Sequence, residues 1–287
     1  MKQLYTIRRT LSAIILLLAS AIPCMAEVFD ADGIHYGTNQ DGVSVSVMHY
    51  VYSGDIVIPS TVTYNGKTYS VTNIEDYAFQ GCKSITSISI PESVTKIGEC
   101  AFMSCSSISS ISIPKSVTII EFGAFSGCTS LTSISIPENI TNIRKFTFYN
   151  CTSLTSISIP KSVTSIGQSA FLKCSSLTSI VCHANEVPEL HYGVFSDVPQ
   201  SQATLYVPSS SIEAYRAAGQ WGDFGKILPL EEYGTGVASP TAVGADTGYD
   251  VYTIRGTMIR KGCNLNGLPA GAYILRSGNE SKTVVIR

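Results

Sequence analysis

Residues 85–105 read ITSISIPESVTKIGECAFMSC, and the same sentence returns along the chain with a 23-residue period. An aromatic step marks each return: Ala78-Phe79, Ala101-Phe102, Ala124-Phe125, Thr147-Phe148 and Ala170-Phe171. A cysteine follows three residues after each Phe, at Cys82, Cys105, Cys128, Cys151 and Cys174. An apolar triplet comes next, Ile85/Ile88/Ile90 in the first unit and Leu177/Ile180/Cys182 in the last. Pro91, Pro114, Pro137 and Pro160 close four of the five units. A repeat of this length is one structural unit that cannot bury its apolar side alone. The expected fold is therefore a repeat solenoid, stabilised by stacking of neighbouring units.

Within a unit, Ile88-Ser89-Ile90 alternates apolar and polar and predicts a strand with its isoleucines inward. Proline ends it, because proline cannot donate to a ladder. Val94 and Ile97 turn inward again, and Ala101-Phe102 predicts a helical turn or short helix on the return side. The picture is a β-rich right-handed coil with short helical turns and an aromatic spine of stacked Phe side chains. Glu92, Lys115, Glu138 and Lys161 alternate in sign and predict charge pairing between adjacent coils. Thr61, Ser93, Ser116, Asn139 and Ser162 form a polar column expected to bond turn backbone between coils.

Residues 27–75 predict a β-rich N-terminal cap and first coil. Val43 to Val47 alternates as a half-buried strand, and Asn65-Gly66 marks a hairpin turn. Residues 76–182 hold the five repeats. Residues 183–232 predict a C-terminal cap, with a strand at Leu205-Tyr206-Val207, a helix opening near Ser210, and Trp221 and Phe224 covering the end of the stack. Residues 233–249 are rich in Gly, Ala, Ser and Thr and read as a linker. Residues 250–287 read as a small all-β C-terminal unit. Residues 1–26 read as a signal peptide: Lys2, Arg8 and Arg9 precede a short apolar run and Cys24-Met25-Ala26. Cys24 as a lipid-anchor residue is the alternative. The chain is thus expected to be exported, to the cell surface or medium or to the periplasm, with no transmembrane segment.

Charged residues are only 14% of the chain and the net charge is −2, which speaks against a nucleic-acid partner. Five of the nine cysteines share one column of the repeat. Side chains in one column of stacked strands point the same way at ~4.8 Å spacing, so a row of buried thiols is expected rather than a disulfide framework. No pair shows a CxxC spacing. Cys182-His183 are strand neighbours and face opposite ways. Asp30, Asp32 and Asp41 fit no calcium loop and read as solvated turns. No nucleophile, metal or phosphate motif occurs. No catalytic residue, cofactor or metal is expected.

Two surfaces remain as candidate ligand faces. One is the hydroxyl-rich strand face, represented by Thr86, Ser89, Ser112, Thr132, Ser135, Thr155 and Ser158. The other comprises the variable positions Met103, Phe122, Phe146, Tyr149 and Leu172, of which Phe146 and Tyr149 offer aromatic anchors.

Ile85 through Cys105 resembles the BspA-like class of bacterial leucine-rich repeats, whose unit reads L-x-x-I-x-I-P-x-x-V-x-x-I-G-x-x-A-F-x-x-C. Glu121 and Arg144 replace the Gly of that pattern, and Thr147 replaces the Ala of Ala-Phe. The tail is similar to C-terminal sorting domains of type IX secretion. Its carriers are Val251-Tyr252-Thr253-Ile254-Arg255-Gly256, Leu268-Pro269-Ala270-Gly271-Ala272-Tyr273 and Val284-Val285-Ile286. The resemblance implies surface display and, in some members, adhesion to host matrix proteins or other bacteria. It transfers no activity. The expected function is a non-catalytic recognition or adhesion module binding a host or bacterial surface protein or glycan. A structural spacer without a specific ligand is the alternative.

Overall fold

The computed structural model describes residues 27–233 and, in the tail, the backbone of residues 249–253, 258–263, 271–277 and 280–286. The expected signal peptide, the linker and several of the tail motifs fall outside the described residues. The chain divides into two compact units at Ile227/Leu228.

The first unit is a β-solenoid with little helix. Each coil lays one short strand on a front sheet and one on a back sheet. The front strands Ser110–Ile111, Ser133–Ser135, Ser156–Ile159, Ser179–Cys182 and Thr204–Val207 run parallel. Their register repeats the sequence period: Ile111, Ile134, Ile157 and Ile180 are successive partners. On the back, Lys96–Ile97 and Ile119–Ile120 extend the N-terminal sheet, while Asn142–Ile143, Ser165–Ile166 and Glu189–Leu190 form a separate one. Ala101-Phe102 and its equivalents lie in hydrogen-bonded turns, not helix, among the described residues. Two residues per coil take positive φ there, for example Phe146 and Asn150, which breaks a helical run.

Phe79, Phe102, Phe125, Phe148, Phe171 and Phe195 form the spine. Each is at most 1% exposed, and consecutive ring centroids lie 5.1–5.7 Å apart with planes within 10° of parallel. Phe195 joins despite the 24-residue step, so a sixth coil extends the stack. Tyr52 continues the spine at the N-terminal end, 4.8 Å from Phe79. At the other end Trp221 and Phe224 meet Phe195 edge-on at 61° and 82°. Both rings thus pack on the last Phe of the stack.

The cysteine column is buried, and each thiol donates along the stack. Cys105, Cys128, Cys151 and Cys174 reach the carbonyls of Phe79, Phe102, Phe125 and Phe148 at 3.0–3.2 Å. The thiol thus fills a small apolar site and satisfies one buried carbonyl. Burial pushes the Cys128 and Cys174 thiols up to about 12 and raises Cys151 in the same direction. Unfolded thiols ionise near ~8.5. The fold therefore favours the neutral form, and its contribution is fully present below that pH and lost as pH rises toward about 12. Denaturant midpoints should hold steady from pH 7 to 8.5 and fall above it. Cys128→Ala with Cys151→Ala should flatten that fall; an unchanged slope would assign it elsewhere. Native chain at neutral pH should leave these thiols unlabelled by iodoacetamide until it unfolds.

The N-terminal cap departs from expectation at one strand. Ser44–Val47 is buried on both faces, not half-buried. Asn39 and Asn73 bond Ser46 Oγ there, and Asn39 also bonds Ser44 Oγ, so the polar face is covered by amides. The hairpin forms as read: Thr61–Tyr64 pairs antiparallel with Lys67–Ile74, and Asn65 and Gly66 both take positive φ, as a two-residue type I′ turn needs. In the C-terminal cap the helix α1 spans Ile212–Arg216, and Trp221 Nε1 donates to the Pro188 carbonyl at 2.9 Å.

The polar columns divide. Ser116, Asn139 and Ser162 donate to backbone one coil earlier at 2.7–2.9 Å. Ser93 does not, and its hydroxyl is buried without a partner; the preceding coil carries the inserted hairpin there. The alternating charges Glu92, Lys115, Glu138 and Lys161 form no ion pair among the described residues. All four are exposed, where a pair gains little over hydration.

In the second unit the strands Tyr249–Thr253, Met258–Cys263, Gly271–Ser277 and Glu280–Ile286 pair antiparallel.

Candidate functional site

The hydroxyl-rich front face spends much of its polarity on itself. Thr132 and Thr155 Oγ1 donate to carbonyls 23 residues earlier at 3.1 and 3.2 Å. Thr86 donates to Asp55 at 2.7 Å, and Ser158 lies 3.2 Å from His183 Nε2. Ser89, Ser112 and Ser135 stay exposed. The seven residues lie on the front of successive coils, but Thr86 and Ser89 belong to a separate two-stranded sheet joined to the rest by the single bridge between Ser89 and Ser112, and several of the hydroxyls serve the ladder. Cys182 turns inward to Tyr215 while His183 turns outward, so no dyad forms. Asp41 accepts from the Ser44 hydroxyl and from the Val43 and Ser44 amides, and these hydrogen bonds, the hydroxyl's first, hold its carboxyl below the usual range. Among the described residues no group of acidic, His and Cys side chains is placed to hold a metal.

Phe146 and Tyr149 sit elsewhere, in the turn that follows the back strand of the fourth coil. The stack is irregular at this level. On the back of the solenoid, backbone bonds join each coil to the previous one, among them Thr95 to Thr72, Thr118 to Thr95, Thr164 to Thr141 and Glu189 to Thr164, at 2.8–2.9 Å. The rung between Thr141 and Thr118 is missing, and the back sheet divides there. On the turn side the rungs continue unbroken, for example Phe125 N–H to the Thr147 carbonyl. The coils are therefore closed along one side and parted along the other, which makes a seam.

Side chains occupy the seam. Arg144 reaches back to Glu121 at 3.2 Å, an ion pair in place of a backbone rung. Thr147 Oγ1 bonds the Arg144 carbonyl at 2.7 Å, which accounts for Thr in the Ala column. Phe122 meets Phe146 edge-to-face at 5.6 Å, and Phe146 meets Tyr149 at 5.8 Å. All three rings are half-buried. Lys173 lies over the Tyr149 ring at 5.9 Å. A groove of about 240 Å³ opens beside them, lined by Phe122, Asn142, Arg144, Lys145, Gly167 and His191.

Phe146 holds φ at +56°. Its column, Tyr77, Cys100, Gly123, Phe146 and Ser169, is left-handed throughout. Only Gly123 adopts that conformation freely; a bulky side chain costs about 1–3 kcal/mol. An aromatic residue is retained here at that cost.

The expected aromatic positions thus come together, while the front-face hydroxyls do not join them. Sequence reasoning missed Arg144, Lys145 and His191. The signal was present, since Glu121, Arg144 and Thr147 are the departures from the repeat pattern and they flank one junction.

Residues 72–202 match the family model described as BspA type Leucine rich repeat region, in 6 copies. No curated protein matches the chain. Solved structures that resemble it include a leucine rich cell surface protein from Faecalibacterium prausnitzii, at 21% identity over 71% of this chain and 73% of that one, TM-score 0.41. The leucine rich repeat protein of T. pallidum is 24% identical over 71% and 83%, TM-score 0.41. One from Bacteroides capillosus is 27% identical over 45% and 96%, TM-score 0.39. The matched copies and the stacked coils agree: residues 72–202 fold as a β-solenoid and are similar to the BspA type leucine-rich repeat.

Proposed function

We propose that this chain is a non-catalytic recognition module, exported and displayed, that binds a surface protein or glycan through an extended side of the solenoid. The observation that carries the reading is the seam between the third and fourth coils. Half-buried aromatic rings cluster there and Phe122 lines a groove, while several front-face hydroxyls turn back to their own backbone. Aromatic anchors beside a cleft are the residue types that dominate binding energy. Export rests on the leader-like residues 1–26, and retention at the surface on the sorting-like tail. Among the described residues no helix is long and apolar enough to cross a membrane.

The test is an array of glycans and matrix proteins probed with the chain from residue 27. Phe146→Gly removes the ring and keeps the left-handed backbone, so it is a cleaner probe than alanine. Combined with Tyr149→Ala it should weaken any saturable binding at least tenfold and leave the melting temperature within a few degrees. Binding unaffected by that pair would place recognition elsewhere. Flat signals across the array would favour the second reading, a structural spacer, which the self-bonded front face supports.

A further inference from the structure

We propose that the seam binds an acidic polysaccharide, a chain of pyranose rings bearing carboxylate or sulfate groups; this rests on the recognition reading and names its ligand class.

The first observation is the sign of charge along the stack. The two residues after each back strand read Glu75-Asp76, Gly98-Glu99, Glu121-Phe122, then Arg144-Lys145, Gly167-Gln168 and His191-Tyr192. The N-terminal half of this stripe is acidic, Arg144-Lys145 is basic and the pairs beyond it carry no formal charge, so the change of sign falls at the seam. Lys96 and Glu189 on adjoining strands temper each half without reversing it. A polyanion is repelled from one end and held at the other, so the field alone fixes which coils it covers.

The second observation is how the cations are held. Lys145 makes no ion pair among the described residues. Arg144 shares one nitrogen with Glu121, and a guanidinium carries further donors for a carboxylate or sulfate. Arg144, Lys145 and His191 line one groove. Coils two apart are separated by about 10 Å, so the Arg144 and Lys145 charges and the His191 ring nitrogens are spread along a chain rather than gathered at one point.

The third observation favours sugar over acidic peptide. The spine rings stack face to face, but Phe122, Phe146 and Tyr149 meet at 75° and 85°. Edge-to-face rings do not bury both faces of each other as the stacked spine rings do, although Lys173 lies over one face of Tyr149. A pyranose offers an apolar C–H face to such a surface and its ring substituents to Asn142. Acidic side chains on a peptide have no equivalent flat apolar face.

The experiment titrates the full chain with polygalacturonate, dextran sulfate, methyl-esterified polygalacturonate and poly-glutamate. Saturable binding to at least one acidic polysaccharide is expected. Arg144→Gln with Lys145→Gln should weaken it at least tenfold, while Glu75→Gln with Asp76→Asn should not weaken it. Lys145→Glu alone, at an exposed position, keeps the test valid if loss of the Glu121 pair disturbs folding. Equal binding to the esterified polymer would overturn the acidic class and leave the recognition reading standing, provided Phe146→Gly with Tyr149→Ala abolishes it. Equal binding to poly-glutamate would overturn sugar in favour of an acidic protein. Absence of binding to both acidic polysaccharides, or indifference to the Arg144 and Lys145 changes, would also overturn the proposal.

Discussion

Phe125→Ala should lower the stability of the solenoid by about 3–5 kcal/mol. The ring is 1% exposed and lies between Phe102 and Phe148, at 5.4 and 5.7 Å. Deleting it opens a cavity between two rings that cannot collapse, because their backbones are pinned by rungs on both sides: Phe102 N–H to the Ala124 carbonyl and Phe125 N–H to the Thr147 carbonyl. The loss also breaks two interfaces at once, whereas loss of an end residue breaks one. Denaturant unfolding followed by circular dichroism would read it. A loss under 1 kcal/mol would mean that the spine is incidental to the core.

Trp221→Ala is the second large effect, again about 3–5 kcal/mol. Trp221 is 1% exposed, lies edge-on to Phe195 and Tyr215 at 5.3 Å, and donates to the Pro188 carbonyl. Its removal uncovers the last Phe of the stack and leaves that carbonyl without its donor. The damage should be local, since a solenoid propagates stability through nearest neighbours. Amide exchange should rise first around residues 190–227 and leave the second and third coils protected. Exposed strand ends also invite pairing with other chains, so light scattering should increase on warming. Uniform exchange across all coils would contradict the nearest-neighbour picture.

Much of this fold was legible because it is written periodically. The Phe column, the inward isoleucines, the Asn65-Gly66 turn and the roles of Trp221 and Phe224 follow from residue type and spacing. Tyr52 was not, because it stands outside the 23-residue period. The thiol-to-carbonyl ladder was hidden because spacing reports which way a cysteine points, not which acceptor the next coil brings. The same holds for Thr132 and Thr155: their alternation places them outward, but only the coil-to-coil distance shows that their hydroxyls turn back to the backbone. Glu92, Lys115, Glu138 and Lys161 alternate in sign without pairing, since solvent competes well at exposed positions.

The seam was the least visible feature. Asn142-Ile143 looks like every other back strand, and a missing rung leaves no mark in one repeat. The clue is shared between repeats: Glu121 and Arg144 stand where glycine is expected, and Thr147 stands where alanine is. Each departure is unremarkable alone, and they become informative only when stacking puts them on one junction.

Double-mutant cycles on the spine test the central claim most directly. Phe102→Leu with Phe125→Leu joins neighbouring coils, and Phe102→Leu with Phe171→Leu joins coils three apart. Stacked neighbours should show a coupling of about 0.5–1.5 kcal/mol, while the distant pair should be additive within about 0.5 kcal/mol. Equal coupling in both pairs, or none in either, would contradict a core built from adjacent coils.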